Sequence, residues 1–243
     1  MKALAFDRIA VLTAKGLPDG ASYIAAGDLC QIGEKTAAGL WPVTYPTKKG
    51  QKTRWVRSLK GFLVNQNNFA RISYPAKGYE KATIKSSGCG VCSAIIALGA
   101  VTGSMISVQT MRDWAVNWGA RVPGGTDMNK LLRLLSGRFP IKARQTNDRN
   151  VLLGHLRAGG AAICNVSGKG MFSTGGHFMA VLGELGGKLC IADPGLYSGK
   201  YSVNARRRAN VAVSGELIFA SPAVLDADCV GRWPRYYLLE REG

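Results

Sequence analysis

Two segments of this 243-residue chain carry residue types that together perform nucleophilic chemistry. Ser86-Ser87-Gly88-Cys89-Gly90-Val91-Cys92-Ser93 puts a thiol on a glycine-flanked turn directly ahead of the apolar run Ala94 to Leu98. Gly175-Gly176-His177-Phe178 offers one of only two histidines, and Ala192-Asp193-Pro194 supplies an aspartate sixteen positions further on. A thiol, an imidazole and a carboxylate in that order are the parts of a cysteine-nucleophile hydrolase. A free thiol, with a pKa of about 8.5, is a poor nucleophile at neutral pH, and a helix N-terminus or a neighbouring imidazolium lowers that value.

The surrounding sequence predicts how these groups are positioned. Val91 to Ala100 reads as a buried helix with the thiol at its first turn, where Gly88 and Gly90 relieve crowding and let substrate approach the sulfur. His177 opens an apolar strand over Phe178 to Leu182, Gly183-Glu184-Leu185-Gly186-Gly187 reads as a hairpin turn, and Lys188 to Ala192 returns as the partner strand. That register brings Asp193 back beside His177, where a carboxylate fixes the imidazole tautomer and stabilises its protonated form.

Gly88-Cys89-Gly90, the fourteen-residue step from Cys89 to Gly103, the Gly-His-Phe triplet, the hairpin and Asp193-Pro194 resemble the C39-like branch of the papain-fold cysteine peptidases, over roughly Gly61 to Leu225. The resemblance implies Cys89 as nucleophile, His177 as general base and Asp193 as the residue that orients it. It also implies an oxyanion hole built from the Cys89 amide and the side-chain amide of an upstream glutamine, for which Gln66 in Val64-Asn65-Gln66-Asn67-Asn68 is the best match. The chain departs from the family at Val91-Cys92, where relatives commonly carry Pro-Thr.

Cys92 is the rival nucleophile, because Cys-Gly-x-Cys also echoes the papain-type stretch in which the second cysteine reacts. The spacing to Gly103 and the lack of a Trp after Cys92 favour Cys89. No second Cys-x-x-Cys and no His-x-x-x-His completes a metal site, so neither a metal nor a cofactor is expected. The other histidine, His155, falls in the helical stretch Val151 to Arg157 and is expected on a helix surface without a catalytic role.

The chain carries a formal net charge of +17, a field that attracts polyanions such as nucleic acid, teichoic acid and anionic lipid. No nucleic-acid module accompanies it, so no specific nucleic-acid partner is expected, and Lys48-Lys49 and Arg206-Arg207-Arg208 read equally as solvated faces. Six cysteines in a chain this long do not read as a disulfide framework. No apolar run reaches membrane-spanning length, and Met1 to Gly20, with Asp7 and Arg8, lacks the apolar centre of a signal peptide. Synthesis in the cytoplasm is therefore expected, with action outside requiring another exit.

Residues 1–60 differ from the rest. Turn signals at Pro18-Asp19-Gly20, Gly27-Asp28, Gly39 and Lys49-Gly50 separate short β-like runs at Ser22 to Ala25, Leu29 to Ile32, Leu40 to Tyr45 and Thr53 to Arg57. Ala26-Gly27-Asp28 through Tyr45-Pro46 to Trp55-Val56 resembles a bacterial SH3-type domain, a module whose partner is often cell-wall peptide. Trp41, Tyr45 and Trp55 either form its core or line a groove. Residues 61–243 predict helices first (Val91 to Ala100, Val108 to Trp118, Met128 to Leu135, Arg149 to Ala158) and then strands, an α+β order. Met111, Trp114, Ala115 and Trp118 form an apolar stripe expected in the core. The expectation is thus an SH3-like barrel over 1–60, followed by a papain-like domain of helices packed on an antiparallel sheet. The function that follows is a cysteine peptidase acting on bacterial peptidoglycan peptide, of the endolysin type that leaves its host through a holin. The alternatives are a processing peptidase for a leader peptide or other protein, and an inert fold that binds a wall polymer or other polyanion.

Overall fold

A computed structural model describes all 243 residues, and its helices and antiparallel sheets make an α+β protein. The first six strands are β1 (Lys2–Leu4), β2 (Ile9–Leu12), β3 (Pro18–Ile24), β4 (Leu29–Ile32), β5 (Trp41–Thr47) and β6 (Gly50–Val56), paired in the order β1-β4-β5-β6-β2-β3. Four of the six answer to the β-like runs; β1 and β2 were not anticipated.

Helices follow: α1 (Ile84–Ser87), α2 (Cys89–Thr102) and α3 (Val108–Asn117), then the small ribbon β7 (Arg121–Val122) and β8 (Gly125–Thr126), and α4 (Met128–Ser136). Gly103 closes α2 at φ 74°, a left-handed conformation that favours glycine. The Asp127 carboxylate caps α4 by accepting from the Lys130 N–H. Next come β9 (Ile141–Thr146), α5 (Arg149–Arg157), β10 (Ala161–Val166), β11 (His177–Leu185) and β12 (Lys188–Ala192). The chain ends with α6 (Ala205–Asn210), β13 (Val211–Ser214), β14 (Leu217–Ala220), α7 (Pro222–Cys229) and β15 (Tyr236–Arg241). The predicted hairpin is present, with Gly186 and Gly187 at φ 56° and 72° between β11 and β12.

The later strands form one antiparallel sheet, β13-β14-β12-β11-β10-β15-β9. Strand alternation divides its side chains between two cores. On β10, Ala161 and Ile163 join the core that contains α2, α3 and α4, whereas Ala162, Cys164 and Val166 join the one covered by α5 and α7. The N-terminal sheet shares the first core. Its Ala3, Val11, Ile24 and Val43 are buried in the same cluster as Ile95 and Leu98 of α2, Leu4 packs on Gly99, and Trp41 stacks on Phe219 at 5.8 Å. Ser58 Oγ donates to Glu216 at 2.9 Å and ties the connecting segment to the turn between β13 and β14.

Two expectations need correction. His155 is buried rather than on a helix surface: with Leu152 and Leu156 it forms the face of α5 that packs on the sheet. Its Nε2 lies 3.0 Å from the Ala161 carbonyl and 2.9 Å from that of Leu239, so it pins β10 to β15. Trp118 leaves the predicted stripe and is 59% exposed, because α3 ends at Asn117 and the chain turns away before the next helical position is reached. Of the two readings for the N-terminal aromatics, burial favours the core for Trp41 and Tyr45, and Trp55 is part-buried.

Candidate active site

Cys89 is the first residue of α2, joined to α1 through the single residue Gly88. The connection demands glycine: a Cβ at Gly88 would fall 2.6 Å from the Ile84 carbonyl oxygen. Gly90 serves packing rather than substrate access, since its Cβ would sit 2.7 Å from Thr126 Cβ and 3.3 Å from the Phe178 ring. These two absences let α2 start close against β8 and β11 and bring the thiol to the head of β11.

There the Cys89 sulfur lies against the His177 imidazole and faces the backbone amides of Phe178 and Gly90. His177 is buried, and its Nε2–H donates to Asp193 Oδ1 at 2.7 Å, which leaves Nδ1 for the thiol. Asp193 is buried and saturated. Oδ1 also accepts from the Gly195 N–H at 2.8 Å, while Oδ2 accepts from Lys200 Nζ at 2.6 Å and the Tyr201 hydroxyl at 2.7 Å. Neither Lys200 nor Tyr201 was singled out in the sequence. They arrive on the irregular segment after Asp193, where no periodicity marks them; only the pairing of a lysine and a tyrosine soon after the aspartate could have drawn notice.

The electrostatics follow from this geometry. Burial pushes the Cys89 thiol up, but the hydrogen bond and charge of His177, helped by the Phe178 and Gly90 amides, outweigh it and hold the group below its ordinary value. Burial likewise disfavours the His177 imidazolium, yet Asp193 and Cys89 raise its pKa to about 9. The Asp193 carboxyl, despite burial, is held far below the usual carboxylate range by His177 and Lys200. A thiolate–imidazolium pair is the form these shifts favour.

Cys92 faces the interior one turn along α2, fully buried, and burial pushes its thiol well above the ordinary value. It is a core residue without an activating partner. All six cysteines are free thiols.

Gln66 sits in a single 3-10 turn, Gln66–Asn68, on which α1 packs. Its backbone N–H donates to the Pro194 carbonyl at 2.7 Å, tying the turn to the aspartate segment. Its side-chain Nε2 donates to the Lys85 carbonyl at 2.7 Å. Lys85 stands four residues before Cys89, so this bond anchors the Gln66 amide at the base of the turn that presents the thiol. One amide hydrogen remains after that bond. The Cys89 N–H, at the first position of α2, has no intrahelical acceptor. The four residues expected at the site thus lie on α2, β11, the end of β12 and the Gln66 turn.

Compared with known proteins, the chain matches no protein-family model and no curated sequence.

Proposed function

We propose that this chain is a papain-like cysteine peptidase that hydrolyses peptide or amide bonds of bacterial peptidoglycan, as phage endolysins do. The observation that carries the reading is the Cys89 sulfur against a His177 ring whose far nitrogen is bonded to buried Asp193. That arrangement supplies an activated thiolate and a proton donor at one place.

In the reaction, the Cys89 thiolate attacks the substrate carbonyl carbon, and the oxyanion accepts from the Cys89 N–H and the remaining Gln66 amide hydrogen. The His177 imidazolium donates its Nδ1 proton to the departing amine as the carbon–nitrogen bond breaks, leaving a thioester and a neutral imidazole. That imidazole then takes a proton from water, whose oxygen attacks the thioester; collapse releases the carboxylic acid and restores the thiolate–imidazolium pair. Asp193 holds the ring and its tautomer throughout.

The wall as substrate is supported by the +17 charge, which suits an anionic envelope, and by the N-terminal sheet, read as an SH3-like wall-binding module over residues 1–60 ahead of a catalytic domain over 61–243. No helix is long and apolar enough to cross a membrane. The protein reaches the wall after holin-type release.

The test is turbidity loss and amine release from purified peptidoglycan of several bacteria, for wild type and Cys89→Ala. Lysis by wild type and none by the variant is the expected result. Lysis that survives Cys89→Ala contradicts the nucleophile, and no amine from any wall contradicts the substrate.

A further inference from the structure

Two segments converge on the two glycines that precede His177. Gly168, in the glycine-rich loop Ser167 to Gly170, lies against Gly175, where a Cβ would fall 2.7 Å from the Gly175 carbonyl carbon. The Arg232 guanidinium lies against Gly176, its carbon 3.2 Å from where a Cβ would stand, and its Nε donates to the Val166 carbonyl at 3.3 Å. Trp233 follows at 86% exposure, the most exposed large apolar side chain of the protein.

The loop that presents Arg232 and Trp233 is tied on both sides. The Ser167 N–H and hydroxyl each donate to the Asp228 carbonyl at 2.8 Å, the Arg232 N–H donates to the Cys229 carbonyl at 3.0 Å, and the Asn165 N–H donates to the Arg235 carbonyl at 2.9 Å. The indole of Trp233, next in sequence to Arg232, is thus held in water by an anchored loop. Arg232 is not ion-paired. Of the two acids on α7, Asp226 pairs with Arg235 at 3.0 Å, and buried Asp228 accepts through Oδ2 from the Phe172 N–H at 3.2 Å while its Oδ1 has no partner.

We propose that Arg232 and Trp233 form a subsite for a carboxylate-bearing residue on the amine side of the cleaved bond. The inference rests on the peptidase reading above. The imidazole must reach the leaving nitrogen, so the chain that departs with that nitrogen passes the segments next to His177. A guanidinium fork pairs with a carboxylate through two parallel hydrogen bonds, and the indole covers the aliphatic part of the same residue.

The test uses a fluorescence-quenched peptide library with Asp or Glu, Asn or Gln, or Lys at the two positions after the cleaved bond. Wild type should prefer acid over amide by about tenfold in kcat/KM, the order of one charge-assisted hydrogen bond. Arg232→Gln should bring that ratio to about one, and Arg232→Glu should favour Lys. Peptides cut without acid preference, or with the preference intact in Arg232→Gln, overturn the subsite and leave the peptidase standing. A second readout needs no cleavage: the rate of Cys89 alkylation by iodoacetate relative to iodoacetamide should fall at least threefold, roughly half the expected electrostatic effect, in Arg232→Gln. An unchanged ratio overturns the subsite, and a Cys89 that neither cuts nor alkylates overturns the peptidase and the subsite with it.

Discussion

Lys200 Nζ lies 2.6 Å from Asp193 Oδ2, on the opposite carboxylate oxygen from the one that accepts His177 Nε2–H at 2.7 Å. Asp193 therefore serves two cations at once, both inside the protein. The lysine satisfies a charge that would otherwise be costly to bury, and it competes with the imidazolium for that charge. In the proposed reaction, the Cys89–His177 pair is tuned from behind by a residue that does not touch substrate.

Replacing Lys200 with methionine removes that competing charge while keeping most of its volume. The His177 pKa, already raised to about 9, should rise further by on the order of one unit. With only two histidines in the chain, ring-proton NMR titration resolves it directly. The variant should also lose roughly 3 kcal/mol of stability, since one partner of a buried ion pair has gone. A purely structural lysine would lower Tm and leave the His177 titration where it was.

Gly90→Ala places a methyl group against Thr126, whose Oγ1 is 2.9 Å from the Tyr74 hydroxyl, and against Phe178. Both neighbours are packed, so the start of α2 must shift. The change should cost about 1–3 kcal/mol. It should also lower kcat more than it raises KM, because the thiol moves relative to the imidazole. Thermal unfolding and steady-state kinetics of this one variant report both effects.

Gln66→Ala should reduce kcat by about 10²–10³, the usual effect of losing one oxyanion donor, while iodoacetamide still alkylates Cys89 at close to the wild-type rate. Alkylation forms no oxyanion, so it separates loss of transition-state stabilisation from loss of the nucleophile. Equal loss in both assays would mean that Gln66 acts only by anchoring the turn at Lys85 and Pro194.

How much of this was legible in the sequence depended on local punctuation. Glycines announced the Cys89 turn and the β11–β12 hairpin, and the hairpin alone was enough to return Asp193 to His177. The apolar runs of α2, β10 and β14 needed no tertiary information. Lys200 and Tyr201 were hidden because they reach Asp193 along an irregular segment that only the finished fold positions. His155 was misplaced although Leu152, His155 and Leu156 share one helical face; its polarity masked a buried hydrogen-bonded role. Strands β9 and β15 escaped notice because Lys142, Arg144, Glu240 and Arg241 break their apolar pattern, and β9 finds its one partner, β15, only across a gap of some ninety residues.

The central claim is that Cys89 and His177 exist as a thiolate–imidazolium pair, and the rate of Cys89 alkylation against pH tests it most directly. The sulfur titrates below its ordinary range and the imidazole near 9, so the reactive form exists above the first value and below the second. Folding stability is a poor readout between about pH 6.5 and 8.5, where the ion pair binds the same number of protons as the neutral pair of the unfolded chain. The pH profile of Cys89 alkylation by iodoacetamide should therefore lie at lower pH than that of an ordinary thiol near 8.5, and His177→Ala should return the titration to about that value or above it. A wild-type profile that rises only above pH 8, unchanged by His177→Ala, would contradict the pair and with it the proposed activity.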